Sequence, residues 1–350
     1  MRLLVTGGAG FIGSHLILNW NRRRPQDLIL NLDKLGYASD RGFESELAHP
    51  DQYQFQAIDL ADAPRVNQAV RDFQPDGIIH LAAESHVDNS ISGPGAFVRS
   101  NIEGTFVLLE AARAFWNDVS TPQEKAQPHH HRFHHVSTDE VFGMLPSEGF
   151  FDETSAYNPS SPYSATKAAS DHLVRAWGHT YGLNFTISNC SNNFGPRQHD
   201  EKLIPTVIRN ALKRNSIPVY GQGLNVRDWL AVQDHCTAIE KVFFEAAPGS
   251  TYCVGGNTEY TNIDLVHKIC GILNEIVDEK PAGGFESLIT FVTDRPGHDF
   301  RYAIDGTKIR AELNWRPAES FEDRLRSTIE WYVNKYAAAT VGSLLRGEFA

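Results

Sequence analysis

The sequence predicts an α/β protein, a Rossmann-like doubly wound parallel sheet carrying a smaller, discontinuous C-terminal substrate lobe. Three observations lead there. Short apolar strand signals alternate with helical stretches through roughly the first 190 of 350 residues. A glycine-rich turn, Gly7-Gly8-Ala9-Gly10-Phe11-Ile12-Gly13, links the first strand signal to a helix. Tyr163 and Lys167 stand four apart in a later helical stretch, twenty residues after Gly143 closes the segment Ser137-Thr138-Asp139-Glu140-Val141-Phe142-Gly143.

The elements follow in order. Leu3 to Thr6 is an apolar strand, and a helix runs from Ser14 to Arg23. Gly7, Gly10 and Gly13 give a GxxGxxG variant of the dinucleotide fingerprint. These glycines permit a tight turn, close approach of backbone to a pyrophosphate and close helix–strand packing, with the phosphates at the helix's positive end. A second strand, Leu28 to Leu32, ends at Asp33, twenty residues past Gly13. A carboxylate there grips ribose hydroxyls and repels a 2′-phosphate, which selects NAD over NADP. Further strands run from Gln54 to Ile58, ending at Asp59, and from Gly77 to Leu81, ending at Ala82-Ala83-Glu84-Ser85. A long helix is expected from Gly95 to Phe115, a polar loop from Asn117 to Pro128, and a strand from Arg132 to Ser137 that runs into Thr138-Asp139-Glu140. The tyrosine helix spans Pro162 to Tyr181, and Phe185 to Asn189 is the next strand. Every motif sits at a strand's carboxyl end, where such sheets bind ligands.

After Asn192 the alternation loosens, broken at Gly195-Pro196, Pro218, Gly221-Gln222-Gly223, Gly255-Gly256-Asn257 and Pro296-Gly297. Residues 1–191 are therefore expected to form the NAD-binding domain and 192–350 mainly the substrate lobe. Its helices are expected at Lys202–Arg214 and Asp264–Val277. Strands near Val219-Tyr220 and Thr251–Val254 are expected to return to the main sheet.

Composition narrows the function classes. A hydrophobic content of 41% with 21% charged residues is ordinary for a globular protein. The formal net charge of −11 argues against general binding to nucleic acid or an anionic membrane. An anionic substrate then needs a local Arg/Lys cluster. No apolar run approaches a membrane span, and the first strand begins almost at Met1, so no signal peptide is expected. Cys190, Cys236, Cys253 and Cys270 have no CxxC spacing, which suits a reducing cytoplasm. His129, His130 and His131 with His134 and His135 form no obvious closed ligand set, so no metal is expected.

The chemistry follows from spacing. Tyr163 and Lys167 lie one turn apart on one helix face, so the ammonium is expected to depress the phenol's pKa. The phenolate then takes a sugar hydroxyl proton as hydride leaves the same carbon. An oxidation alone needs only the tyrosine. Asp139 and Glu140 add the acid and base that water elimination requires, with Asp139 held protonated by burial or by its neighbour. Taken alone, a Tyr–Lys pair is also what an exposed helix face offers, and Asp139-Glu140 what a solvated turn offers; their combination with the glycine turn decides.

At TGGAGFIGSH, DKLGYA, HLAAESHVDNSI, HHVSTDEVFG, SSPYSATKAASDHLVRAW, SNCSNNFGP, EKLIP, PVYGQGLNVRDWL and DRPGHDFRYAID the chain resembles the extended short-chain dehydrogenase/reductases, and within them the dTDP-glucose 4,6-dehydratases. The resemblance implies a homodimer through a four-helix interface and a three-step cycle on dTDP-glucose with NAD retained. In it Tyr163 is the base at the C4 hydroxyl, helped by Thr138. Glu140 removes the C5 proton, Asp139 protonates the departing C6 hydroxyl, and Lys167 holds the nicotinamide ribose. Implied NAD contacts are Phe11, Ile12, Asp33, Lys34, Asp59, Leu60, Ala82, Ser85 and Asn193. Implied substrate contacts are Thr138, Asn192, Lys202, Pro218, Tyr220, Arg227, Asn262, Arg295 and His298, with Lys202, Arg227 and Arg295 supplying the local positive charge. The chain departs from the family at Phe142 and Phe194, where Tyr is frequent, at Asn89, where Arg is common, and in a shorter Met144–Thr154 segment. Two rivals remain: a nucleotide-sugar 4-epimerase, which leaves Asp139 and Glu140 unexplained, and a silent NAD-binding sensor, which needs none of the catalytic groups.

Overall fold

The computed structural model describes residues 1–119, 131–294 and 298–346, with side chains through residue 337. The strands of the first half are β1 (Arg2–Thr6), β2 (Leu28–Asp33), β3 (Tyr53–Ala57), β4 (Gly77–His80), β5 (Arg132–Thr138) and β6 (Phe185–Cys190). Further along lie β7 (Asn192–Phe194), β8 (Ile217–Tyr220), β9 (Val226–Ala231), β10 (Thr251–Val254), β11 (Glu259–Thr261) and β12 (Ile289–Val292). Seven of them form one sheet in the order β10-β6-β5-β4-β1-β2-β3, with every neighbouring pair parallel. The order reverses at β1, between β2 and β4, which opens a crevice beyond the strands' carboxyl ends.

Alternation along β1 explains both faces of this sheet. Leu3 and Val5 point to one side and Leu4 to the other. Leu4 joins Leu30, Ile78, Phe133 and Ile187 under helix residues Val66, Val70, Leu108 and Ala112. Leu3 and Val5 join Ile29 and Ile79 under Leu16, Ile17, Trp20 and Phe243. A sheet covered twice needs apolar residues at consecutive positions, hence the unbroken Leu3-Leu4-Val5.

The tyrosine helix, Pro162–Tyr181, starts and stops where local chemistry dictates. Ser161 and Ser164 form a reciprocal capping box, Pro162 occupies the first turn, and Gly182 ends the helix at φ 71°. The long helix expected from Gly95 forms, with a π turn inside it. It comprises a short turn Pro94–Phe97, a π-helical turn Val98–Glu103 and an α-helix Gly104–Val119. That helix also takes up Asn117 to Val119, the start of the expected polar loop; residues 120–128 lie outside the described residues. The π turn presents Asn101 inward, where its amide donates to Glu84 O and Thr166 Oγ1 and accepts from Glu84 N.

The lobe has its own core. Phe194, Ile204, Val207, Ile208, Leu265, Ile269 and Phe285 pack together between the helices Leu203–Leu212, Asn262–Ile276 and Phe321–Arg346. The expected return of Val219-Tyr220 to the main sheet does not occur, because β8 pairs with β12 in a separate two-stranded sheet. β10 does join the main sheet, against β6, while β7, β9 and β11 form a third sheet.

Candidate active site

One cavity lies across the carboxyl ends of β1, β2, β4, β5 and β6. Its wall contains Gly7, Gly10, Phe11, Ile12, Gly13, Asp33, Lys34, Asp59, Leu60, Ala82, Ser85 and Asn193, together with Thr138, Asp139, Glu140, Tyr163 and Lys167. Of the residues expected to hold substrate, Thr138, Asn192 and Lys202 line this cavity.

The glycine turn is built for close approach. Gly7 has φ 71°, and a Cβ there would stand 2.7 Å from Ala82 Cα; a Cβ at Gly13 would stand 2.3 Å from Gly7 O. No side chain caps the helix Phe11–Arg23 at Gly10, so its first N–H groups face the cavity without a capping acceptor. That is the cradle a pyrophosphate fits. Asp33 Oδ2 accepts from Ala9 N, and Oδ1 accepts from Leu35 N and Ser39 Oγ. A carboxylate has about four acceptor positions, so the residue that braces the turn keeps capacity for a ribose hydroxyl. Lys34 pairs with Glu84 at 2.5 Å on the cavity wall. The residues present fit NAD.

The acid–base half sits on the 3₁₀ turn Asp139–Phe142, which begins where β5 ends. Thr138 caps it, its Oγ1 accepting from Glu140 N at 3.3 Å and donating to Asp139 Oδ1 at 3.3 Å. Gly143 turns the chain away at φ 90°, against Asn158 O. Asp139 is 1% exposed. Burial first, and then the Glu140 and Asp228 carboxylates, raise its pKa well above the ordinary carboxylate range, while Arg227 opposes them. Its Oδ2 has no partner among the described residues. Burial and its neighbours thus favour the protonated acid at Asp139, which also has an unused oxygen. Asp228 is itself raised to about 6 by burial, against hydrogen bonds from Thr258 N and Gly256 N.

Tyr163 departs from expectation. The phenol is not depressed: burial and the Glu140 carboxylate raise it well above the ordinary value, and the Thr138 hydroxyl only partly offsets them. The cation that a phenolate needs nearby is Lys167, one helix turn away. Lys167 is buried, its ammonium donating to Val136 O at 2.9 Å.

The remaining expected substrate residues lie apart from the cavity wall. Arg227 is buried and donates to the carbonyls of Val226, Asp299 and Phe300, with its guanidinium over Tyr302. Pro218 and Tyr220 are on β8, and Asn262 opens a helix with its N–H on Asn225 O. His298 Nδ1 lies 2.7 Å from Asp294 and its ring meets Tyr220 edge-on. Arg295, His129 and His130 lie outside the described residues. His131 stacks on Trp116, and His134 bridges Thr186 and Ser188. Among the described residues no group of three or more His, Cys, Asp or Glu could hold a metal ion.

Sequence reasoning passed over several residues that shape the site: Ser137, Cys190, Ser191, Glu84 and Glu201 on the wall, and Asn101 behind it. Strand-end position marked Ser137, Cys190 and Ser191; nothing local marked Asn101.

Comparison with known proteins agrees with this geometry. The family model described as GDP-mannose 4,6 dehydratase matches residues 4–328. The chain belongs to that family. A dTDP-glucose 4,6-dehydratase of Neisseria gonorrhoeae is 52% identical over 339 residues, covering 95% of each chain. The dTDP-glucose 4,6-dehydratase DesIV of Streptomyces venezuelae, solved with NAD and TYD bound, superposes with a TM-score of 0.85 at 41% identity, over 95% of this chain and 97% of its own. A UDP-glucose 4-epimerase of Thermus thermophilus, solved with NAD, shares the fold more distantly, at 28% identity and a TM-score of 0.81 over 95% and 99%.

Proposed function

We propose that this chain is a hydro-lyase, converting dTDP-glucose to dTDP-4-keto-6-deoxyglucose and water. One observation carries the reading: a buried Asp139, whose surroundings favour its protonated form, and the adjacent Glu140 open into the same cavity as Tyr163 and Lys167. A 4-epimerase needs the second pair and has no use for the first.

The glycine turn, Asp33, Lys34, Asp59 and Lys167 would hold NAD, which would supply the redox capacity for oxidation at C4 and reduction at C6. Tyr163 takes the C4 hydroxyl proton, with the Thr138 hydroxyl orienting that oxygen. Ketone formation acidifies the C5 hydrogen, and Glu140 removes it. Asp139 delivers its proton to the departing C6 hydroxyl, which leaves as water; as C6 is reduced Glu140 returns a proton to C5, and the proton gained by Tyr163 and the one lost by Asp139 are exchanged with solvent before the next cycle. Water's exclusion from the buried turn keeps that proton in place until the leaving group arrives. Lys202, on the cavity wall, would meet the diphosphate.

The chain is further proposed to act as a homodimer, through the helices Gly104–Val119 and Pro162–Tyr181. Phe106 and Tyr181 are exposed apolar residues on those two helices, and Val98 is exposed on the adjoining π turn. Isologous pairing would cover all three. Sedimentation should give a dimer at micromolar concentration; a monomer would contradict this. A cytoplasmic location is supported by four cysteines that are all free and buried.

Incubation with dTDP-glucose, UDP-glucose and GDP-mannose tests the activity. A 4-keto-6-deoxy product from dTDP-glucose is expected; a C4 epimer with no 4-keto sugar would refute the reading.

A further inference from the structure

Behind Tyr163 and Lys167 lies a buried cluster that the dehydration scheme leaves unused. His135 Nε2 on β5 is 3.1 Å from Asp171 Oδ1 and 3.5 Å from Lys167 Nζ. His135 and Asp171 are fully buried and Lys167 is 4% exposed. Asp171 Oδ2 accepts from the Tyr157 hydroxyl at 2.7 Å and from Asn189 Nδ2 at 3.2 Å. The same Asn189 amide donates to Thr138 O at 3.1 Å, at the head of the acid–base turn. Tyr163, Lys167 and Asp171 recur every four residues, so they share one helix face. An ammonium removed from water is strongly disfavoured unless an opposite charge stands near.

We propose that Asp171, one helix turn from Lys167 and against His135, is a positioning residue that keeps Lys167 cationic beside Tyr163. A cationic Lys167 is what the ribose contact and a Tyr163 phenolate both require. The balance of nearby groups leaves this work to Asp171. Burial pulls Lys167 down, and Asp171 is the foremost influence raising it, followed by Cys190 on β6. Cys190 is itself pushed up to about 12, so it stays a neutral thiol. His135 is held near 4 by burial and by Lys167, and His80 on β4 well below the ordinary value, so both rings are neutral at neutral pH. Asp171 is lowered, because hydrogen bonds from His135 and Tyr157 and the charge of Lys167 outweigh its burial. Arg175, one turn further along the helix, bears on His135 and reaches the Tyr157 hydroxyl. Asp139 and Glu140 on the turn bear on Tyr163 rather than on Lys167. The π turn behind the helix contributes the uncharged Asn101.

The test is the pH profile of kcat, and it rests on the dehydratase reading. If the parent forms no 4-keto product, that reading fails; if it does, only the inference below is at stake. Asp171→Asn keeps shape and removes charge, so Lys167 should lose its proton earlier. The alkaline limb of kcat should move down by about one pH unit or more, a tenfold loss on that limb, with KM unchanged. Tyr157→Phe removes a hydrogen bond from the same hub but no charge, and should leave the limb in place. A merely structural role would lower activity evenly across pH in both variants, and that result would overturn the proposal. Should Asp171→Asn not fold, the parent labelled with ¹³C-lysine and ¹³C-aspartate gives the answer. Lys167 cationic and Asp171 ionised at neutral pH is expected; a neutral amine or a protonated carboxyl there would overturn it.

Discussion

The tyrosine helix and the Asp139–Phe142 turn face one cavity and bury similar side chains, yet their charges are arranged in opposite ways. On the helix, a buried ammonium has a buried carboxylate one turn away, with Asp171 answering the charge of Lys167 and His135 lying against both. On the turn, two adjacent carboxyls have a third, Asp228, nearby, with Arg227 the opposing influence. The first arrangement holds a charge; the second holds a proton. Burial costs the charged form wherever it occurs, so the neighbours decide whether a buried group is ionised. The helix is regular because Lys167 and Asp171 must share a face. The turn is irregular because Asp139 and Glu140, consecutive in sequence, must both reach one substrate.

Removing the phenol tests the helix half and should have the largest effect. Tyr163→Phe leaves no group to take the C4 proton, so turnover should fall toward the upper end of the roughly 10²–10⁴-fold range for a general base. No NADH absorbance should appear on mixing with dTDP-glucose. Residual oxidation with normal NADH absorbance would move the base elsewhere.

Asp139→Asn probes the turn half. It keeps the hydrogen-bonding shape but cannot deliver a proton to the C6 hydroxyl, and should cost about 10²-fold in dehydration. Its stability should move the other way. A folded-state pKa above the unfolded value costs stability at pH above the unfolded carboxyl range of about 4, and nothing below it. The amide removes that cost, so the variant should be more stable than the parent at neutral pH. At about pH 3 the two should be equal. Thermal unfolding at the two pH values reads this directly, and a less stable variant at neutral pH would mean that Asp139 is ionised in the folded state.

The smallest effect concerns the helix's start. Ser161→Ala removes one half of the capping box and should cost about 1 kcal/mol of stability. Activity should stay near the parent's, because the helix is also held by Pro162 and by its packing. A large loss of kcat would mean that the cap, and not the Lys167–Asp171 pair, orients Tyr163.

What could be read from residues alone follows the same divide. The glycine turn, Asp33 and the Tyr163–Lys167 pair are local patterns with fixed spacing, and the cavity brings all of them together. Strand positions were legible because a doubly covered sheet demands runs such as Leu3-Leu4-Val5. The π turn inside the long helix was not, because nothing local in Val98–Glu103 marks it; it places Asn101 against Glu84 and Thr166. The pairing of β8 with β12 was hidden in two four-residue strands whose partners lie some seventy residues apart. Tyr163's raised pKa was missed because helix spacing reveals Lys167 but not burial or the approach of Glu140. His135 and Asp171 are thirty-six residues apart, and only the fold joins them.

The claim that one cavity separates oxidation from elimination is tested most directly by Glu140→Gln, followed for NADH absorbance and for exchange of the C5 hydrogen with solvent. The amide cannot accept the C5 proton, whereas Tyr163 and Lys167 are untouched. NADH should therefore form and persist on the enzyme, C5 exchange should vanish, and product formation should fall by about 10²–10⁴-fold. If Glu140→Gln forms the 4-keto-6-deoxy sugar at the parent rate with C5 exchange intact, Glu140 is not the base, and the division of labour between helix and turn is wrong.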